Sequence, residues 1–76
     1  MGELVEFIAK RLVDDPEKVS ISEREEEGEV VIELRCAQED MGKVIGKQGR
    51  IAKAIRTIVK SAAIKTGKRV NVEILD

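Results

Sequence analysis

Val44-Ile45-Gly46-Lys47-Gln48-Gly49-Arg50-Ile51 joins two amphipathic segments through a pair of glycines set three residues apart. Glycine at both ends opens backbone angles that other residues avoid and removes the Cβ that would hold a ligand away. Peptide N–H groups in such a loop can approach an anion closely. The loop also runs into the start of the next segment, where unpaired N–H groups and a helix dipole favour negative charge. Lys47 and Arg50 add positive charge at that point, and Gln48 can donate or accept hydrogen bonds. A plain helix-loop-helix turn would use two glycines equally well.

The segments on either side have distinct periods. Downstream, a helix is expected from Arg50 to about Thr66, closed by Gly67, with Ile51, Ile55, Ile58, Val59 and Ala62 on its apolar face and Arg50, Lys53, Arg56 and Lys60 opposite. Val70, Val72 and Ile74 alternate in a final strand. Upstream, Glu39 and Asp40 open a short helix reaching Ile45, placed where a helix dipole favours acids. Before it, Val30, Ile32, Leu34 and Cys36 share one face of a strand, with Val31, Glu33 and Arg35 on the wet face. Val19 and Ile21 mark a shorter strand running to about Arg24, and Glu25 to Glu27 with Gly28 form the turn between the two. The chain begins with a helix from about Glu3 to Val13, with Leu4, Val5, Phe7, Ile8 and Leu12 in its apolar series, stopped by Asp14-Asp15-Pro16. The expected fold is an α+β domain of order α-β-β-α-α-β, a three-stranded sheet with helices packed on one face. One domain, residues 1–76, is expected, divided into an N-terminal extension of about 1–28 and a core of about 29–76.

Charge is distributed unevenly along this order. Residues 1–40 carry 5 basic and 13 acidic groups, a local net of -8, whereas residues 41–76 carry 9 basic and 2 acidic groups, a local net of +7. From Met41 to Val72 there are nine basic residues and no acid. Salt confines each patch's field to about 8 Å, so the second half can attract phosphates despite a net charge of -1.

Enzyme classes fare poorly. Histidine is absent, which removes the usual base and the commonest transition-metal ligand. The one cysteine, Cys36, belongs to the apolar series of its strand and reads as a small core residue. Gly46-Lys47 does not extend to a nucleotide-binding P-loop, because Met41 and Gln48 stand where that motif needs Gly and Ser or Thr. No catalytic residue, cofactor or metal is expected. No apolar run approaches the ~20 residues of a membrane span, and the N-terminus lacks the basic start of a secretory signal, so a cytoplasmic location is expected.

The glycine loop and its neighbours resemble the Ile-Gly-x-x-Gly-x-x-Ile core of the KH domain, with the closing isoleucine one position early, at Ile51. A KH domain clamps about four backbone nucleotides of RNA with that loop. The order of elements resembles the bacterial, type II form of the domain. Glu3-Leu4-Val5, Leu12-Val13-Asp14 and Glu39 through Arg50 further resemble the small single-KH proteins of the KhpA family. The resemblance implies a non-catalytic protein that holds single-stranded RNA with Gly46, Lys47, Gln48, Gly49 and Arg50, aided by Lys43, Lys53, Val44 and Ile45. It further implies an RNA chaperone acting with a larger KH-containing protein of the KhpB type in cell-wall homeostasis and cell length. The groove for bases should be aliphatic, floored by Val44, Ile45 and the strand from Ile32 to Cys36, since Phe7 is the one aromatic and reads as core. A second reading is a dimerising adaptor whose RNA contacts come from its partner. Ile64 falls away from the apolar stripe of the long helix beside the small residues Thr57 and Ser61, which marks a candidate homodimer interface.

Overall fold

The computed structural model describes residues 1–75, and the expected domain end at Asp76 lies outside them. Helix α1 (Gly2–Leu12) leads through a short 3-10 turn at Pro16–Lys18 into strand β1 (Ser20–Glu26) and strand β2 (Glu29–Arg35). A second 3-10 turn, Gln38–Asp40, opens helix α2 (Met41–Ile45). The glycine loop follows, then helix α3 (Arg50–Ile64) and strand β3 (Arg69–Leu75). The expected α-β-β-α-α-β order is the observed one, and the three strands form one sheet in the order β1-β2-β3.

Strand β2 is central, antiparallel to β1 and parallel to β3, in registers that set Ile32 opposite Glu23 on one side and Val72 on the other. Central position explains its composition: Val30, Val31, Ile32 and Leu34 are all buried, so the strand is apolar on both faces. Val31 belongs to the face expected to be wet. Arg24 stands across from it on β1, and its guanidinium binds Glu33 at 2.9 Å and Glu26 at 2.6 Å. The hydrogen bonds to Glu33 and Glu26 raise the arginine's pKa still further above its usual range. The β1–β2 turn is also tighter than expected: Glu25 and Glu26 pair with Val30 and Glu29, leaving a two-residue turn of Glu27 and Gly28, both at positive φ. The charged side chains of β1 suit an edge strand, where they discourage pairing with another sheet.

The core lies between the sheet and the helices, with Val5, Ile32, Leu34, Val44, Ile55 and Val59 wholly enclosed. Full burial of each such aliphatic side chain contributes about 1.5–3 kcal/mol. Two helical faces are rotated from expectation. In α1 the buried residues are Gly2, Val5 and Ala9, and Phe7, almost opposite them on the wheel, is 58% exposed beneath the Arg11 guanidinium at 4.9 Å. In α3 the buried set is Ala52, Ile55, Val59 and Ala63, while Ile58 is exposed. The small alanines are what face inward, so this face is turned about 60° from the one that the isoleucines mark. Arg56, expected on the solvent side, donates to the Val72 carbonyl at 3.2 Å and fixes α3 along β3.

Asp40 joins two segments of the chain's first half that lie 25 residues apart. Its carboxylate is buried, accepting the Asp15 backbone N–H at 3.1 Å, with the Lys43 ammonium 3.6 Å from its other oxygen. It thereby ties the connection after α1 to the start of α2. Burial by itself pushes the carboxyl up, but the backbone N–H groups of Asp15 and Asp14 and the charge of Lys43 outweigh it and hold the pKa below the ordinary value of 3.8. The turn that follows α2 is equally specific. Gly46 adopts φ 78 and ψ 172, a region open essentially to glycine alone, and a Cβ there would lie 2.5 Å from Cγ1 of Ile51. Gly49 has φ 74 and ψ 13, and a Cβ on it would meet no atom within 4 Å.

Two stability predictions follow from these contacts. Gly46→Ala is expected to destabilise by at least about 2 kcal/mol, combining backbone strain with overpacking, and Gly49→Ala by only about 1 kcal/mol. Urea unfolding of the two variants tests that order. Because the folded pKa of Asp40 is depressed, its contribution is present above the unfolded value of 3.8 and is lost as pH falls through the folded one. Thermal melts are expected to show Asp40→Asn less stable than wild type at pH 7, with the gap closing below the carboxylate range.

Candidate nucleic-acid interface

The loop lies inside the crossover that the parallel β2–β3 pairing requires. Helix α3, about 22 Å long at 1.5 Å per residue, returns along β3, so the glycines sit at the end of the sheet where β3 finishes. Between α2 and α3 the chain makes a 3-10 turn, Lys47–Gly49, with Gln48 at φ 58 and the Gly49 N–H bonded to the Gly46 carbonyl at 3.1 Å. The N–H groups of Lys47 and Gln48 find no backbone carbonyl among the described residues. Both residues are exposed. Two free donors and the first turn of a fifteen-residue helix therefore converge at one exposed point.

The side chains expected at this site divide into distinct groups. Lys47, Arg50 and Lys53 are exposed, and no carboxylate among the described residues lies within ion-pair distance of them. Arg50 donates to the Gln48 amide oxygen at 3.4 Å, which leans the guanidinium over the turn. Lys43 differs, since its ammonium bonds to Asp14 and lies near Asp40. Hydrogen bonding to Asp14 and the charges of both acids raise its pKa despite some desolvation. Val44 is wholly enclosed, so it supports the loop from beneath, whereas Ile45 is 37% exposed beside it.

The strand residues expected to floor an aliphatic groove lie in the core. Ile32, Leu34 and Cys36 are buried, and the Cys36 thiol, 3.6 Å from the Met41 sulfur, is pushed up in pKa by burial and by the charge of Asp40. An open cleft of about 560 Å³ lies between the end of α3 and the start of β3, where Ala63, Ile64 and Val70 meet Lys60, Lys68, Arg69 and Glu29. No periodicity in the sequence announces a cleft between a helix and a strand separated by a turn. Further along α3, Thr57, Ser61 and Ile64 are all exposed, Ile64 at 78%. Thr57 spends its hydroxyl on the Lys53 carbonyl at 3.0 Å. Among the described residues no helix is long and apolar enough to cross a membrane.

Comparison with known proteins agrees with this geometry. The family described as KhpA/KhpB, KH domain, matches residues 2–74. Proteins called RNA-binding protein KhpA from Clostridium perfringens and Caldanaerobacter subterraneus are 64% and 63% identical over 75 residues, covering 99% of this chain and 100% of each relative. The Aquifex aeolicus protein of that name is 55% identical, covering 100% of this chain and 96% of its own. Among solved structures, Aquifex aeolicus Era bound to GDP·AlF4⁻ superposes with a TM-score of 0.65 at 21% identity, over 96% of this chain and 28% of that one, a likeness of fold alone. The family is not an enzyme family. With the match running from the first turn of α1 to the penultimate residue of β3, the chain belongs to the KhpA/KhpB KH-domain family.

Proposed function

We propose that the protein binds single-stranded RNA, with the sugar-phosphate backbone seated on the Gly46–Gly49 loop. The observation that carries this reading is the pair of N–H groups at Lys47 and Gln48 that find no partner among the described residues, exposed at the head of α3 beside three cations that no described acid engages. Backbone amides and a helix N-terminus hold a phosphate, and Lys47, Arg50 and Lys53 neutralise it. The name shared by the relatives, RNA-binding protein KhpA, points the same way. Bases would lie against aliphatic surface rather than on aromatic platforms, because the one aromatic, Phe7, sits on α1 under Arg11. Membership of the family supports the finer parts of the proposal: action as an RNA chaperone, pairing with a larger KH protein of the KhpB type, a cytoplasmic setting and a role in cell-wall homeostasis and cell length.

A second reading, a dimerising adaptor, is favoured by one observation, the 78% exposure of Ile64 on a helix face of small residues. The two readings are compatible in geometry, since α3 holds the loop at one end and Ile64 at the other. We propose a homodimer across Thr57, Ser61 and Ile64.

Replacing Lys47 and Gln48 together by Asp is expected to weaken binding of a short oligouridylate at least tenfold at low salt with an unchanged circular dichroism spectrum. With about three phosphate contacts, wild-type log K is expected to fall against log salt with a slope of about -2. Wild-type affinity in the double variant would sink the loop reading. For the dimer, Ile64→Lys is expected to give a folded monomer in analytical ultracentrifugation, and a monomeric wild type at tens of micromolar would refute that interface.

A further inference from the structure

Four cations stand nearest the glycine loop, Lys43, Lys47, Arg50 and Lys53, and one of them is already occupied. Lys43 lies three residues before Gly46, about 4.5 Å along the axis of α2, within reach of a phosphate next to the loop on its four-carbon stem. Its ammonium is instead bonded to Asp14, from the connection after α1, and lies 3.6 Å from Asp40.

The two acids have different roles. Asp40 is buried and accepts a backbone N–H, so its position serves the fold whether or not Lys43 is near. The Asp14 side chain is 81% exposed, and among the described residues its carboxylate has Lys43 as its only hydrogen-bond or ion-pair partner. The Asp40 tie holds the backbone of residues 14 and 15 beside α2, and among the described residues the ammonium alone engages the Asp14 carboxylate.

We infer that Asp14 sets the affinity of the loop site for a polyanion by occupying Lys43 in place of a phosphate. The inference rests on the reading of the loop as a nucleic-acid site and deepens it. A free phosphate must compete with a carboxylate already in place.

The test measures binding of a short oligouridylate to wild type, Asp14→Asn, Lys43→Ala and the double variant. Exposed ion pairs contribute little, so Asp14→Asn is expected to bind the oligonucleotide about threefold more tightly at low salt. Its log K is expected to fall more steeply with log salt by about 0.7, one phosphate contact more. The gain is expected to be absent when Lys43→Ala is also present. Unchanged affinity in Asp14→Asn, or the same gain without Lys43, overturns the inference while leaving the loop reading intact. Failure of wild type to bind the oligonucleotide at low salt overturns both.

Discussion

The parallel pairing of β2 with β3 is the constraint on which the remaining structure depends. Two strands that run the same way cannot be joined by a hairpin, so residues 36–68 must carry the chain back over the sheet. A fifteen-residue helix and a seven-residue strand have nearly equal lengths, about 22 and 23 Å, so α3 spans the return in one element. The change of direction is left to α2 and the glycine loop. The loop is therefore forced to one end of the molecule, at the head of the longest helix, where unpaired N–H groups are unavoidable. Position and chemistry have one cause.

Much of this was legible in the sequence because it is local. Alternation in β2 and β3, the proline after α1 and the paired glycines all act within a few residues, and each element formed where its pattern lay. The tie from Asp40 to the Asp15 backbone spans 25 residues and has no local signature, so Asp40 read only as a favourable charge at a helix start. The inward face of α3 escaped for a different reason. Side-chain hydrophobicity ranks Ile58 above Ala52 and Ala63, yet the alanines are buried and Ile58 is not. Phe7 shows the same bias toward size.

At the candidate site the motif gave the backbone and missed the side-chain allegiances. Gly46 is required by its backbone angles and by Ile51 at van der Waals range, so its glycine serves folding as well as any ligand. Gly49 needs only its positive φ, with open space above it. The resemblance assigned Lys43, Lys47, Arg50 and Lys53 alike to the loop. The fold engages the first with Asp14 from the connection after α1 and with its near neighbour Asp40, and among the described residues no acid lies within ion-pair distance of the other three. Composition cannot separate those cases, since the distinction lies in which segments meet.

The separation of charge along the chain is only partly a separation in space, because Lys68 pairs with Glu25 and Arg69 stands beside Glu29 at the turn between β1 and β2. The Glu25–Glu29 hairpin meets the start of β3, and Lys47 and Arg50 stand beyond its other end, roughly the length of α3 away. The hairpin glutamates therefore have cations of their own close by, whereas Lys47 and Arg50 meet no acid within ion-pair distance among the described residues. Screening at physiological salt confines a charge's field to about 8 Å, so the hairpin acids are too far from the loop to weaken its hold on an anion.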